Sequence, residues 1–221
     1  MKSLISIFIL IFSTYINGQG RFLEKGKSGL GIEGELLSYE GINVLSGSIG
    51  YSISGIFDIS FSINNRLLGE RKDLVVTTIS PSVTFYSIKQ SEINPFSFDI
   101  GIGYEKQVYS YDYLSPLRKI KEGNFYAFDA SLSKYFELTK DIRIQPTLVV
   151  SYGMGEYKYM SSYGDEERFQ KFYMVYGYAL PIVFFSQHNK YMNIFVITPK
   201  LLTSKENFLF GVGLTFIFST G

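Results

Sequence analysis

The chain runs to 221 residues, enough for one barrel or sandwich domain and short for two separate domains. Its 21 Lys and Arg stand against 20 Asp and Glu, so no strongly basic face is implied and no nucleic-acid partner is expected. The absence of Cys excludes disulfides, thiolate metal sites, thiol catalysis and a Cys-linked lipid anchor. Trp is also missing, while Tyr (18) and Phe (20) are abundant, an aromatic load that suits a protein with two membrane interfaces to mark.

In chain order, residues 1–18 read as a signal peptide. Lys2 gives the positive start, Leu4 to Phe12 the apolar stretch, and Ser13 to Gly18 the polar exit, with cleavage expected after Gly18 although Ile16 is larger than the usual small residue. Loss of Lys2 leaves 20 basic and 20 acidic residues, a formally neutral mature chain. Residues 19–27 are expected as a short periplasmic N-terminal segment, ahead of a barrel over 28–221. After residue 18 no apolar run reaches helix-spanning length, so a membrane location requires a closed sheet.

From Ser28 onward the dominant period is two. Ten segments follow: about 28–38, 44–54, 56–65, 73–86, 95–105, 123–136, 141–155, 171–185, 190–202 and 206–218. The third is the clearest, with Phe57, Ile59, Phe61 and Ile63 against Asp58, Ser60, Ser62 and Asn64. The fourth contains Pro81, which cannot donate to a ladder, and the ninth has no clear phase. The polar faces hold mainly Gly, Ser, Thr and Asp, whereas the outward face of a soluble sandwich is rich in long charged side chains. The pattern predicts an all-β closed antiparallel transmembrane barrel of about ten strands, eight being the alternative count, with the apolar face toward lipid. A soluble secreted β-barrel is the competing reading. The two longest connections, about 106–122 and 156–170, fall at the same end, opposite the short turns.

The signal peptide, the Gly/Ser-rich alternating strands and a last strand from Asn207 to Phe218 resemble the small outer-membrane β-barrel families of bacteria. The resemblance implies a bacterial outer-membrane location with membrane lipid around the wall. It also implies handling by the barrel-assembly machinery through a C-terminal signal here carried by Phe216 and Phe218, although Ser219, Thr220 and Gly221 follow where such families commonly end on the aromatic. Fold and location follow from it far more than activity.

Candidate functional residues fall into two groups. Glu33, Glu35, Asp58, Asp99 and Asp129 share the inward face, with Arg143 as the inward base and Gln145 beside it. They suit an internal ion-pair network or, alternatively, an acidic lumen that passes cations or holds a small ligand. The long extracellular loops carry Tyr109, Tyr111, Tyr113, Arg118, Lys119 and Lys121 in the first, and Tyr157, Tyr159, Asp165, Glu166 and Glu167 in the second. These fit a recognition surface for an unknown extracellular partner, or an aromatic girdle. The lone His188 falls in an export-side turn, the wrong end for the outward-rim chemistry of outer-membrane proteases, so no enzyme, cofactor or metal site is expected. The expected role is non-enzymatic: structural, adhesive or surface-interacting, with a small passive channel as the alternative.

Overall fold

Hairpin follows hairpin along the whole chain in the computed structural model, which describes residues 21–39, 42–68, 74–111, 118–161, 166–188, 191–204 and 207–220. The strands are β1 (Ser28–Tyr39), β2 (Ile42–Ile53), β3 (Phe57–Leu68), β4 (Leu74–Ile88), β5 (Ser97–Tyr111), β6 (Arg118–Ser133), β7 (Phe136–Glu137), β8 (Ile142–Ile144), β9 (Thr147–Ser161), β10 (Glu166–Ala179), β11 (Ile182–His188), β12 (Tyr191–Ser204) and β13 (Asn207–Thr220). Thirteen pieces make ten strands, because three breaks leave the register unchanged. Ser133↔Thr147 continues as Phe136↔Ile144, and Ala179↔Thr147 as Ile182↔Ile144. On the other side of β10 and β11, Ala179↔Lys200 continues as Ile182↔Ile197. Two of the breaks fall at Pro146 and Pro181, which have no N–H to give a ladder.

All pairings are antiparallel, and two join the ends of the sheet into a ring: β1 with β13 from Ser28↔Thr220 to Ser38↔Phe210, and β10 with β12 through Tyr176–Ala179. The result is the closed ten-stranded antiparallel barrel expected from the alternation. Burial is inverted relative to a soluble barrel. On β3, Ile59 is 55% exposed while its neighbour Asp58 is 2% exposed, and on β13 Phe216 and Phe218 lie outside with Phe216 at 50%. The outer wall is therefore apolar and the charged and hydroxyl side chains of these strands point inward, as a lipid-embedded barrel requires.

The interior is filled. Leu37, Val44, Val76, Tyr109, Phe125 and Tyr157 belong to an apolar cluster toward the far end, away from the described termini. Gly153 makes room there: a Cβ at this position would fall 1.5 Å from Cζ of Tyr173, whose ring packs against the cluster. A second cluster fills the near end, where Val183, Ile194, Val196 and Ile217 close around Phe22 and Leu23.

Phe22 and Leu23 come from the segment preceding β1. Gly26 turns with φ 91° and donates its N–H to the Ser54 carbonyl at 2.8 Å, which directs residues 21–23 back into the mouth. Gly55, at φ 59°, sits against this segment; a Cβ there would come 2.6 Å from the Glu24 carbonyl oxygen. Arg21–Leu23, within the segment expected ahead of the barrel, thus bury their side chains.

The far rim is uneven. Among the described residues, Glu166–Val175 of β10 pair with β9 alone, while β12 reaches only as far as Tyr176↔Thr203. The β5–β6–β9–β10 side therefore rises past the β12–β13 hairpin.

Candidate functional site

Between the two apolar clusters lies a belt of paired charges. Lys200 on β12 sends its Nζ to Oε1 of Glu33 at 3.3 Å and to Oε1 of Glu35 at 3.0 Å, all three side chains at most 5% exposed. Lys200 sits two strands away from the glutamates, and Gly213 on the intervening β13 leaves the path open: a Cβ there would lie 3.0 Å from Oε1 of Glu33. Arg21 makes the next pair, its Nη2 donating to both Asp99 oxygens at 3.1 and 2.9 Å and to Ser131 Oγ at 2.6 Å. Ser131 in turn donates to Asp99 at 2.7 Å. Tyr86 donates to Asp58 at 2.7 Å, Ser151 donates to Asp129, and Gln145 donates to Ser133 at 3.1 Å.

The structure therefore brings Glu33, Glu35, Asp58, Asp99, Asp129 and Gln145 into the interior, but with cations other than the one expected. Arg143 has the inward phase but the wrong level. It lies at the near rim, 3.0 Å from Glu137, with its guanidinium 4.2 Å from the Tyr135 ring centroid and 4.9 Å from that of Phe185. The lumen bases are Lys200 and Arg21, and deeper toward the far end Arg66 is buried with Glu105 and Gln107. Glu105 and Gln107 continue the fifth strand's inward series beyond Gly103, so extending that period by two steps finds them.

The extracellular-loop group is also corrected. The hairpins continue as regular sheet well beyond the expected loop starts. Tyr109, Tyr111, Arg118, Lys119, Lys121, Tyr157, Tyr159, Glu166 and Glu167 all stand in strands, while Tyr113 and Asp165 lie outside the described residues. Alternation then turns Tyr109 and Tyr157 inward. Their rings meet at 6.3 Å, Tyr157 meets Phe125 at 5.0 Å, and the Tyr109 hydroxyl donates to Gln107 at 2.7 Å. These two tyrosines are interior packing and not a recognition surface. Glu166 and Glu167 open β10 and are exposed. His188 ends β11 opposite Tyr191 at the near-end turn.

On the raised side the outer wall changes character over a few residues. Tyr104, Tyr126, Met154 and Phe172 form one row across β5, β6, β9 and β10, with the two tyrosine rings 5.5 Å apart. Above it stand Lys106, Glu122, Glu156, Lys158 and Arg168. Glu122 accepts from Lys158 at 2.5 Å and lies 3.8 Å from Lys106, while Arg168 is 3.4 Å from Glu156. A hollow of about 580 Å³ opens between the two rows. No group of three or more His, Cys, Asp or Glu among the described residues could hold a metal ion.

No protein-family model and no curated protein matches this chain. Solved structures do. The β domain of the Bordetella autotransporter BrkA superposes with a TM-score of 0.55 at 10% identity, covering 88% of this chain and 99% of that one. The translocator domain of autotransporter NalP from Neisseria meningitidis gives 0.51 at 9% identity, covering 98% and 95%. The fold is that of an outer-membrane β-barrel. Ail, the attachment invasion locus protein of Yersinia pestis, aligns over 90% of this chain and 100% of its own at 14% identity, with a TM-score of 0.38. At these identities the likeness to the two autotransporter domains concerns the barrel alone.

Proposed function

We propose that this protein resides in the bacterial outer membrane as a non-enzymatic, non-conducting barrel that presents a raised β5–β6–β9–β10 wall outside the cell. Export by the N-terminal signal peptide and recognition of the Phe216–Phe218 strand by the assembly machinery belong to the same proposal. One observation carries it: the interior is occupied from end to end. The near mouth holds Phe22 and Leu23, the middle holds salt-bridged Arg21 and Lys200, and the far half holds the Phe125–Tyr157 cluster. A ten-stranded ring has little room beyond its own side chains, and cations meet no open acidic ring because four of the carboxylates are already engaged.

The test is reconstitution into planar bilayers. The purified chain should insert, migrate heat-modifiably on gels and show no stepwise conductance. Steady cation-selective steps would replace this reading with the passive channel.

A further inference from the structure

The outer wall below the charged row is not smooth. Two apolar hollows, of about 370 and 400 Å³, continue downward from the 580 Å³ one, and neighbouring hollows share walls: Tyr104 and Tyr126 between the first two, Ile102 and Phe128 between the next. The cause is visible in the ladder. Pro81 faces outward on β4, and β4–β5 pairing skips from Ile79↔Lys106 to Ser82↔Gly103. From Lys106 down to Ile100 the furrow follows seven residues of β5, six steps and roughly 20 Å at strand rise. The part below Tyr104 covers four steps, about 13 Å along a tilted strand, and so stays within one leaflet of the hydrocarbon core.

We infer that this furrow is a binding site for a single lipid of the outer leaflet with an anionic, phosphate-bearing headgroup: the phosphate sits at Lys106 and Lys158, and one acyl chain lies in the hollow lined by Pro81, Val83, Ile102 and Phe128. Charge favours this occupant. Lys106 and Lys158 share one carboxylate, Glu122, and the Lys106 contact is the loose one at 3.8 Å with the side chain half exposed, so its ammonium can turn to a phosphate without leaving a buried charge alone. Tyr104 and Tyr126 mark the boundary where headgroup gives way to chain.

The inference rests on the membrane location proposed above. The test uses the full mature chain, delipidated in detergent, with dimyristoyl phosphatidic acid and dimyristoyl phosphatidylcholine as probes; the chains are identical and only the headgroup differs, anionic in the first and zwitterionic in the second. Binding is read by native mass spectrometry. Phosphatidic acid should bind about five-fold or more tightly than phosphatidylcholine. K106Q/K158Q should erase the preference and K106R/K158R should keep it. Ile102→Trp, which fills the furrow, should weaken both lipids, and inorganic phosphate alone should not compete. Equal affinity for the two lipids, a preference that survives K106Q/K158Q, or competition by inorganic phosphate overturns the inference. A chain that inserts into bilayers and migrates heat-modifiably but shows no preference defeats the furrow alone, whereas one that does not insert defeats the membrane location.

Discussion

Lys200 is the residue on which the interior charge balance turns. Two glutamates converge on it in a place where neither has access to solvent, and a buried pair that loses one partner is left with an uncompensated charge. Lys200→Met should cost about 3–5 kcal/mol, read as a lower urea midpoint for the chain folded in vesicles. Adding E33Q and E35Q to K200M should recover most of the loss. Lys89 gives the opposite sign of effect. It follows β4 in the near-end turn, its ammonium bonded to the Leu23 carbonyl and 5.5 Å from the Tyr86 ring centroid, and burial lowers its pKa to about 8, against the favourable pull of Asp58 and Glu24. Between that value and the free-lysine 10.5, the unfolded chain binds more protons than the folded one. The penalty is therefore complete below pH 8, and stability gains as pH rises toward 10.5. In K89Q the rise in urea midpoint across this window should be shallower than in the parent.

At the scale of the strand, what could be read from sequence depended on how different the two faces are. β3 alternates Phe and Ile with Asp and Ser, and its phase was plain. β12 puts Ile194 and Val196 inside against Phe22 and Leu23, and Phe195 and Ile197 outside, so both faces are apolar and period two disappears. Lys200 was hidden for that reason. Arg21 had no period at all, because nothing in a segment ahead of the sheet says that it folds back into the lumen. The carboxylates were legible because each sits among Ser and Gly on a strand with a greasy opposite face. Tyr109 and Tyr157 were misplaced because β5 and β9 keep their hydrogen bonding after their outward residues turn from apolar to charged; composition ends at the edge of the lipid band, while the ladder does not. The β9–β10 hairpin also shows how closely these strands are fitted. Gly153 faces the Tyr173 ring, so Gly153→Val must displace it from the Phe125 cluster. Overpacking of this kind should cost about 1–3 kcal/mol of stability, read as a lower urea midpoint, without changing heat-modifiable migration.

Taken whole, the molecule is a wall wrapped around its own side chains, and its two halves answer different solvents. The outside below the charged row matches hydrocarbon. The inside is divided into an apolar floor, an ionic middle and an apolar roof, each stratum built from many strands. No single hairpin holds a stratum by itself, which makes the ring, not the hairpin, the unit that acquires stability.

The glutamates of β1 and the lysine of β12 face each other across β13, the strand that joins them. Until that strand zips against the first, the acid pair and its counter-ion belong to opposite ends of an open ribbon and stay hydrated. Shutting the ring strips water from all three at once, so this ionic buckle can fasten only on a completed circle, and a chain stalled one strand short keeps both a raw hydrogen-bonding edge and an unanswered charge at the same place.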